Sequence, residues 1–193
     1  AGLSRTWQSL ELFRDLTVSE NLEVASDHPS FVSSMLDLVH PSRASARRDT
    51  EDALALLNLQ SIGDLHPDEL TLGQQKLVNV ARALVGGPRV LLLDEPAAGL
   101  STSETSALGR ALRTVIHDDI GILLIEHDVA LVFDICDDVY VLDEGAVIAE
   151  GPPSQVRDDP AVVSAYLGTG KWANDSEASP ASASAPEISG SPA

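Results

Sequence analysis

Thirty acidic residues against 12 lysines and arginines leave this chain of 193 residues with a net charge of −18, a surface that repels phosphate backbones and argues against general nucleic-acid binding. Hydrophobic residues at 44% and charged ones at 22% describe a globular protein with a real core rather than a disordered chain. No run approaches the ~18 apolar residues of a membrane span, and the one cysteine, Cys136 in "LVFDIC", leaves no internal disulfide and reads as buried filler.

In chain order, residues 1–16 are irregular and mixed. "TVSENLEVA" (17–25) predicts a helix with Thr17 or Ser19 as cap and Glu20 in its first turn. "SFVSSMLDLV" (30–39) and "TEDALALLNLQ" (50–60) give two more short helical patterns. Together these three pieces form a small helical unit with few strand signals.

The character changes after residue 70. "GQQKLVNVARALV" (73–85) places Leu77, Val78, Ala81, Leu84 and Val85 on one helical face, and Gly86-Gly87-Pro88 stops it. Strand 90–93, a helix around 103–116, strand "GILLI" (121–125) and helix "VALVFDIC" (129–136) follow. Both strands are apolar throughout, which predicts a parallel sheet covered on both faces with helical crossovers. A hairpin (139–142 and 146–149, turning at Asp143-Glu144-Gly145) and a closing helix (159–168) complete the fold. From Ala173 onward the chain is mostly Ser, Ala and Pro, which predicts a disordered tail over 173–193.

Three strings carry chemistry. In "VLLLDEP" the strand runs into Asp94 and Glu95, at a sheet edge where ligands bind. Asp94 can hold Mg²⁺, since hard cations prefer carboxylates, and Glu95 can orient or deprotonate a water; capping of the next turn is the structural alternative. "LLIEHD" repeats the design, and His127 can donate to a phosphate oxygen. "ELTLGQQK" (69–76) sets Thr71 and Gly73 at the start of an amphipathic helix, a natural anion site or an ordinary cap.

The order Gln8, "LTLGQQK", "VLLLDEP", "AAGLS", "LLIEHD" resembles the ATP-binding subunit of an ABC transporter over nearly the whole chain before the tail. The family's signature loop matches Leu70, Thr71, Leu72, Gly73 and Gln74. Its Walker B strand matches Val90 to Glu95, its D-loop Ala98 to Ser101, its switch histidine His127, and its glutamine loop residues 5–25 with Gln8 as the glutamine. "GQQK", "DEPAAGL" and the ending "AYLG" look like ATPases of branched-chain amino acid importers; subunits serving urea or short amides look similar. Departures are Thr71 for the usual serine, Leu72 for glycine or an aromatic, Ser101 for Asp or Asn, and Trp7 for phenylalanine. Leu72 adds bulk at the trans phosphate contact, and Ser101 bears on communication between the two sites.

The resemblance implies an α/β fold, the C-terminal part of a P-loop NTPase, mainly parallel sheet with a small helical subdomain. Residues 1–172 would be the ATPase domain, with the helical part at about 17–70 and the catalytic core remnant at about 71–172. It also implies ATP and Mg²⁺ as cofactors. Asp94 and Gln8 would serve the metal, Glu95 and His127 the chemistry, and Gln8, Leu70–Gln74 and Ser101 the nucleotide.

The implied partners are a second ATPase subunit, identical or not, membrane permease subunits and, indirectly, a substrate-binding protein, at the cytoplasmic face of the membrane. No G-x-x-x-x-G-K-S/T string occurs. "AYLGTGKW" (165–172) has Ala165 for the first glycine and Trp172 for the hydroxyl, so it is a decoy. The expectation is a chain whose N-terminal P-loop part is absent, exposing apolar surface and giving no ATP turnover alone. Alternatives are a degenerate module lending only its signature loop to a partner's site and, behind it, a DNA-associated ABC ATPase.

Overall fold

The computed structural model describes residues 2–6, 12–26, 42–117 and 120–167. Three parallel strands, β1 (Leu3–Arg5), β2 (Val90–Asp94) and β3 (Gly121–Ile125), lie in the order β1-β2-β3. Leu3 pairs with Val90, Leu92 with Leu123, and Asp94 with Ile125. β1 falls where irregular chain was expected. Three residues, Leu-Ser-Arg, are too few to show a period, and the strand exists because the β2 backbone pairs with it.

Helices α1 (Val18–Ser26), α2 (Ser42–Leu56) and α3 (Leu72–Leu84) separate β1 from β2, and α4 (Thr102–His117) links β2 to β3. α5 (Val129–Ile135) follows and packs on α4. At α1 the cap is Thr17: its N–H donates to Glu20 Oε2 at 2.8 Å, and the Glu20 N–H returns to Thr17 Oγ1 at 3.3 Å. Hydrogen bonding of the carboxylate by Thr17, through its backbone N–H first and then its side chain, holds the Glu20 carboxyl below its ordinary pKa. α2 begins upstream of the predicted start at 50 and ends at Leu56, where Asn58 turns the chain with φ 56°. The helix predicted at 30–39 and the tail after 172 lie outside the described residues.

Asn21 is fully buried yet satisfied. Its Nδ2 donates to the carbonyls of Phe13, Leu16 and Thr17 at 3.0, 3.2 and 2.9 Å, while its Oδ1 accepts the Phe13 N–H at 2.8 Å. One side chain thus pins the segment leading into α1.

One hydrophobic cluster runs through Ala1–Cys136. Leu91 and Leu93 of β2 meet Val78, Ala81 and Leu84 of α3, Leu108, Leu112 and Val115 of α4, and Leu131 and Ile135 of α5. Val18 and Leu22 of α1 and Leu54 and Leu57 of α2 extend it, and Cys136 lies half-buried against it.

The two-sided cover expected from the apolar strands is not what the described residues build. Alternate strand residues face opposite sides; Leu91 and Leu93 are sealed, whereas Leu123 and Ile125 remain 59% and 57% exposed. The helices named above bury one face only.

From Asp137 on, the described residues through 167 belong to a separate compact unit. In it, β4 (Val139–Asp143) and β5 (Ala146–Gly151) make an antiparallel hairpin, followed by α6 (Pro153–Val156) and α7 (Pro160–Leu167). Glu144 and Gly145 both have positive φ, 47° and 84°, as a two-residue hairpin turn of matching twist demands. Val139, Val156 and Val162 are its buried apolar residues.

Candidate functional site

Asp94 is the last residue of β2 and lies on the half-exposed side of the sheet. Arg5 of β1 reaches it, Nη2 to Oδ2 at 3.2 Å. The next residue leaves the strand sharply. Glu95 has φ 46°, a left-handed conformation that costs a non-glycine residue roughly 1–2 kcal/mol. Its N–H donates to the Ile125 carbonyl of β3 at 2.8 Å. The strained turn is what separates the two adjacent acids: Asp94 keeps the strand's alternation and Glu95 departs from it.

Two residues on, the Ala97 N–H donates to Glu126 Oε1 at 2.6 Å. The Glu126 side chain is 0% exposed, and its other oxygen accepts from the backbone N–H groups of His127 and Asp128 at 3.0 and 3.4 Å. His127 itself is 58% exposed, with Nδ1 at 3.7 Å from Glu126 Oε2. Asp128 caps α5 by accepting the Leu131 N–H at 3.0 Å. The ends of β2 and β3 therefore bring Asp94, Glu95 and His127 to one edge of the sheet.

A second group forms at the start of α3. Thr71 caps it in a reciprocal box: its Oγ1 accepts the Gln74 N–H at 3.2 Å and its N–H donates to Gln74 Oε1 at 2.9 Å. An accepting hydroxyl still carries a proton to donate. Leu70 is buried, and its carbonyl accepts Gln75 Nε2 at 3.2 Å. Leu72 is 39% exposed and reaches the D-loop, where a Cβ on Gly99 (φ 80°) would stand 3.3 Å from its Cδ2.

Gly73 donates its N–H to Glu104 Oε1 at 3.3 Å. The other oxygen of Glu104 accepts from Ser101, N–H at 2.9 Å and Oγ at 2.7 Å. Hydrogen bonds from the Ser101 hydroxyl first, then its backbone, then Gly73, hold the Glu104 carboxyl below its ordinary pKa. Leu70 to Gln74 and Ser101 thus share one anchor, and Gln8 lies outside the described residues.

Sequence reasoning passed over three residues here. Glu104 was findable, since Ser101 and Glu104 have capping-box spacing. Glu126 stood in a quoted string without a role, and the pairing of Arg5 with Asp94 spans 89 positions.

The family model of the ABC transporter matches residues 1–98. Over 174 residues the chain is 39% identical to the high-affinity branched-chain amino acid transport ATP-binding protein BraF of Pseudomonas aeruginosa, covering 86% of this chain and 68% of that one.

This chain belongs to the ABC transporter ATP-binding family.

The high-affinity branched-chain amino acid transport ATP-binding protein LivG of Escherichia coli is 40% identical over 175 residues at the same coverage. A model of the branched-chain amino acid ATP-binding cassette transporter matches residues 146–171. Among solved structures, MJ1267, an ATP-binding cassette of an ABC transporter, superposes with a TM-score of 0.72 at 31% identity, covering 86% of this chain and 68% of that one. Its ADP conformation gives 0.71 at 29% identity with the same coverage. The fold is therefore that of the P-loop NTPases, and the activity of this ABC subunit is nucleotide binding and ATP hydrolysis coupled to transport.

Proposed function

We propose that this chain energises uptake of branched-chain amino acids, with Glu95 and His127 acting on ATP and Asp94 on its metal. The observation that carries the site is the meeting of Asp94, Glu95 and His127 at one sheet edge, with Glu95 turned out of the strand at φ 46°. The substrate class is supported by the likeness to BraF and LivG.

No cluster of three or more His, Cys, Asp or Glu side chains suited to a metal occurs among the described residues. A single carboxylate at a strand end fits Mg²⁺, which is commonly held by one or two carboxylates with waters and substrate phosphates. Asp94 would hold it, with Gln8 from the glutamine loop. Bound there, Mg²⁺ would neutralise charge developing on the transferred phosphoryl group.

Glu95 orients and polarises the attacking water, and His127 donates to the γ-phosphate. Thr71, by its hydroxyl, faces the nucleotide of a second subunit, and the backbone at Gly73, whose own N–H is held by Glu104, allows close approach there, alongside Leu70, Leu72 and Gln74. Ser101 lies in the D-loop between the two sites. The P-loop that grips the phosphates is not among these 193 residues. The helical unit around residues 17–60 docks on permease subunits, and a substrate-binding protein delivers cargo on the far side. No described helix is long and apolar enough to cross a membrane, which suits a peripheral place on the cytoplasmic face.

The test is ATP turnover and leucine, isoleucine and valine uptake by the assembled transporter. Glu95→Gln is expected to cut turnover by about 10²–10⁴-fold, the usual worth of a general base. Turnover unchanged by that substitution refutes the assignment. Uptake of a urea-like amide in place of the amino acids refutes the substrate.

A further inference from the structure

We propose that Glu126 is a positioning residue that holds the Glu95 turn and the His127 segment in one fixed relation. This rests on the reading of Glu95 and His127 as the residues that act on ATP.

The side chain of Glu126 is completely removed from solvent. Burying an ionised carboxylate is expensive unless donors surround it. Its donors come from two separate segments: Ala97 on Oε1 at 2.6 Å, and His127 and Asp128 on Oε2 at 3.0 and 3.4 Å. Each oxygen thus serves one segment, and one planar group ties both.

Glu95 stands between two such ties. Its own N–H is held by the Ile125 carbonyl at 2.8 Å, and Ala97, beyond the φ-restricted Pro96, is held by Glu126. A strained left-handed residue persists only where its surroundings over-determine it. Here Ile125 and Glu126, adjacent in sequence, fasten the turn from both sides.

The acid is also specified chemically. All three donors are N–H groups, which an acceptor-only carboxylate satisfies at both oxygens. A glutamine of the same shape must direct its NH₂ at one of the two segments, opposing donor to donor. A displacement of His127 by nucleotide is therefore transmitted to the Glu95 turn through a single rigid group.

Amide hydrogen exchange on the 193-residue chain and its Glu126→Gln variant tests the tie. Faster exchange by about tenfold is expected either at Ala97 or at His127 and Asp128, whichever segment meets the NH₂, the loss of one charge-assisted bond, with Leu91 and Leu112 unchanged. Unaltered protection at Ala97 and His127 overturns the proposal, as does acceleration throughout the core, which marks general destabilisation. Where E126Q does not fold, Glu126→Asp decides: its shorter carboxylate should protect one segment and release the other, and full protection of both overturns the proposal.

In the assembled, ATP-turning transporter, E126Q should lower kcat by about tenfold or more, with KM for ATP moving less than about twofold. It should add little to His127→Ala. Local loss of protection with kcat unchanged overturns the positioning role. If Glu95→Gln leaves turnover intact, the reading of the site fails instead, and exchange still decides whether Glu126 joins the two segments.

Discussion

Glu104 Oε1 accepts the backbone N–H of Gly73 at 3.3 Å, and the same carboxylate takes both the N–H and the hydroxyl of Ser101 through its other oxygen. One acid at the start of α4 thus joins the segment that caps α3 to the loop that follows β2. A Cβ placed on Gly73 would stand 3.0 Å from both Cγ and Oε1 of Glu104, so glycine is what lets the carboxylate approach. These two segments are the ones proposed to face a second subunit's nucleotide, and they are mechanically one piece.

The lowered pKa of Glu104 makes the Gly73–Ser101 clasp weaken in acid. A carboxyl held below its ordinary value of 4.5 in the folded state contributes stability above that value and loses it as pH falls through the lower folded value. Protection of the Gly73 and Ser101 amides should therefore be full at pH 6 and fall on acidification below about 4.5. Glu104→Gln should remove that pH dependence. Site-resolved hydrogen exchange across pH 3–6 measures it, and a pH-independent Gly73 amide in the wild type contradicts it.

Glu95 predicts an opposition between stability and activity. Glycine adopts φ 46° without the cost of roughly 1–2 kcal/mol borne by glutamate, offset in part by about 0.5–1 kcal/mol of added chain entropy. Glu95→Gly should therefore leave the melting temperature unchanged or raise it by a few degrees while turnover in the transporter is lost. A fall of several degrees indicates that the glutamate side chain itself holds the turn.

Asn21 should be among the more costly polar positions. Its replacement by Ala removes four hydrogen bonds and leaves the Phe13 N–H and the Leu16 carbonyl to find other partners, while the Phe13 and Thr17 carbonyls keep the backbone N–H groups of Leu16 and Asn21. A loss of about 2–4 kcal/mol is expected in chemical denaturation. A loss below 1 kcal/mol means that water replaces the side chain without effort.

Leu112, fully buried on α4 among the core residues, reports on the packing of helix against sheet. Leu112→Ala should cost about 2–5 kcal/mol, the transfer term plus the cavity. Leu123→Ala, on the exposed side of β3, should cost less than 1 kcal/mol in the chain as described, since that leucine is 59% exposed. Equal losses at the two positions contradict the one-sided core.

Much of this fold was legible because the signals were local. Helix α3 was readable at 73–85 and is found at Leu72–Leu84, since its apolar residues repeat at helical spacing and Gly86-Gly87 ends it. β2 and β3 were readable as short apolar runs, and the hairpin turn at Glu144-Gly145 from its glycine. β1 was not, because a three-residue strand has no pattern of its own and is defined by its partner.

The same division holds in the candidate site. Asp94, Glu95 and His127 could be named from the strings "LLLDEP" and "LLIEHD", where each follows directly on an apolar strand. That much the sequence by itself determined, along with the order of motifs that marks the family. The tertiary structure alone decided that the Glu126 side chain is buried between Ala97 and His127, that Glu104 clasps Gly73 to Ser101, and that among the described residues only one face of the sheet is sealed. A hydrogen bond between positions 29 or 31 residues apart leaves no periodic trace in the chain. It exists because β2 and β3 bring two strand ends together at one edge, and because the chain around α3 and α4 brings two loop segments within reach of one carboxylate.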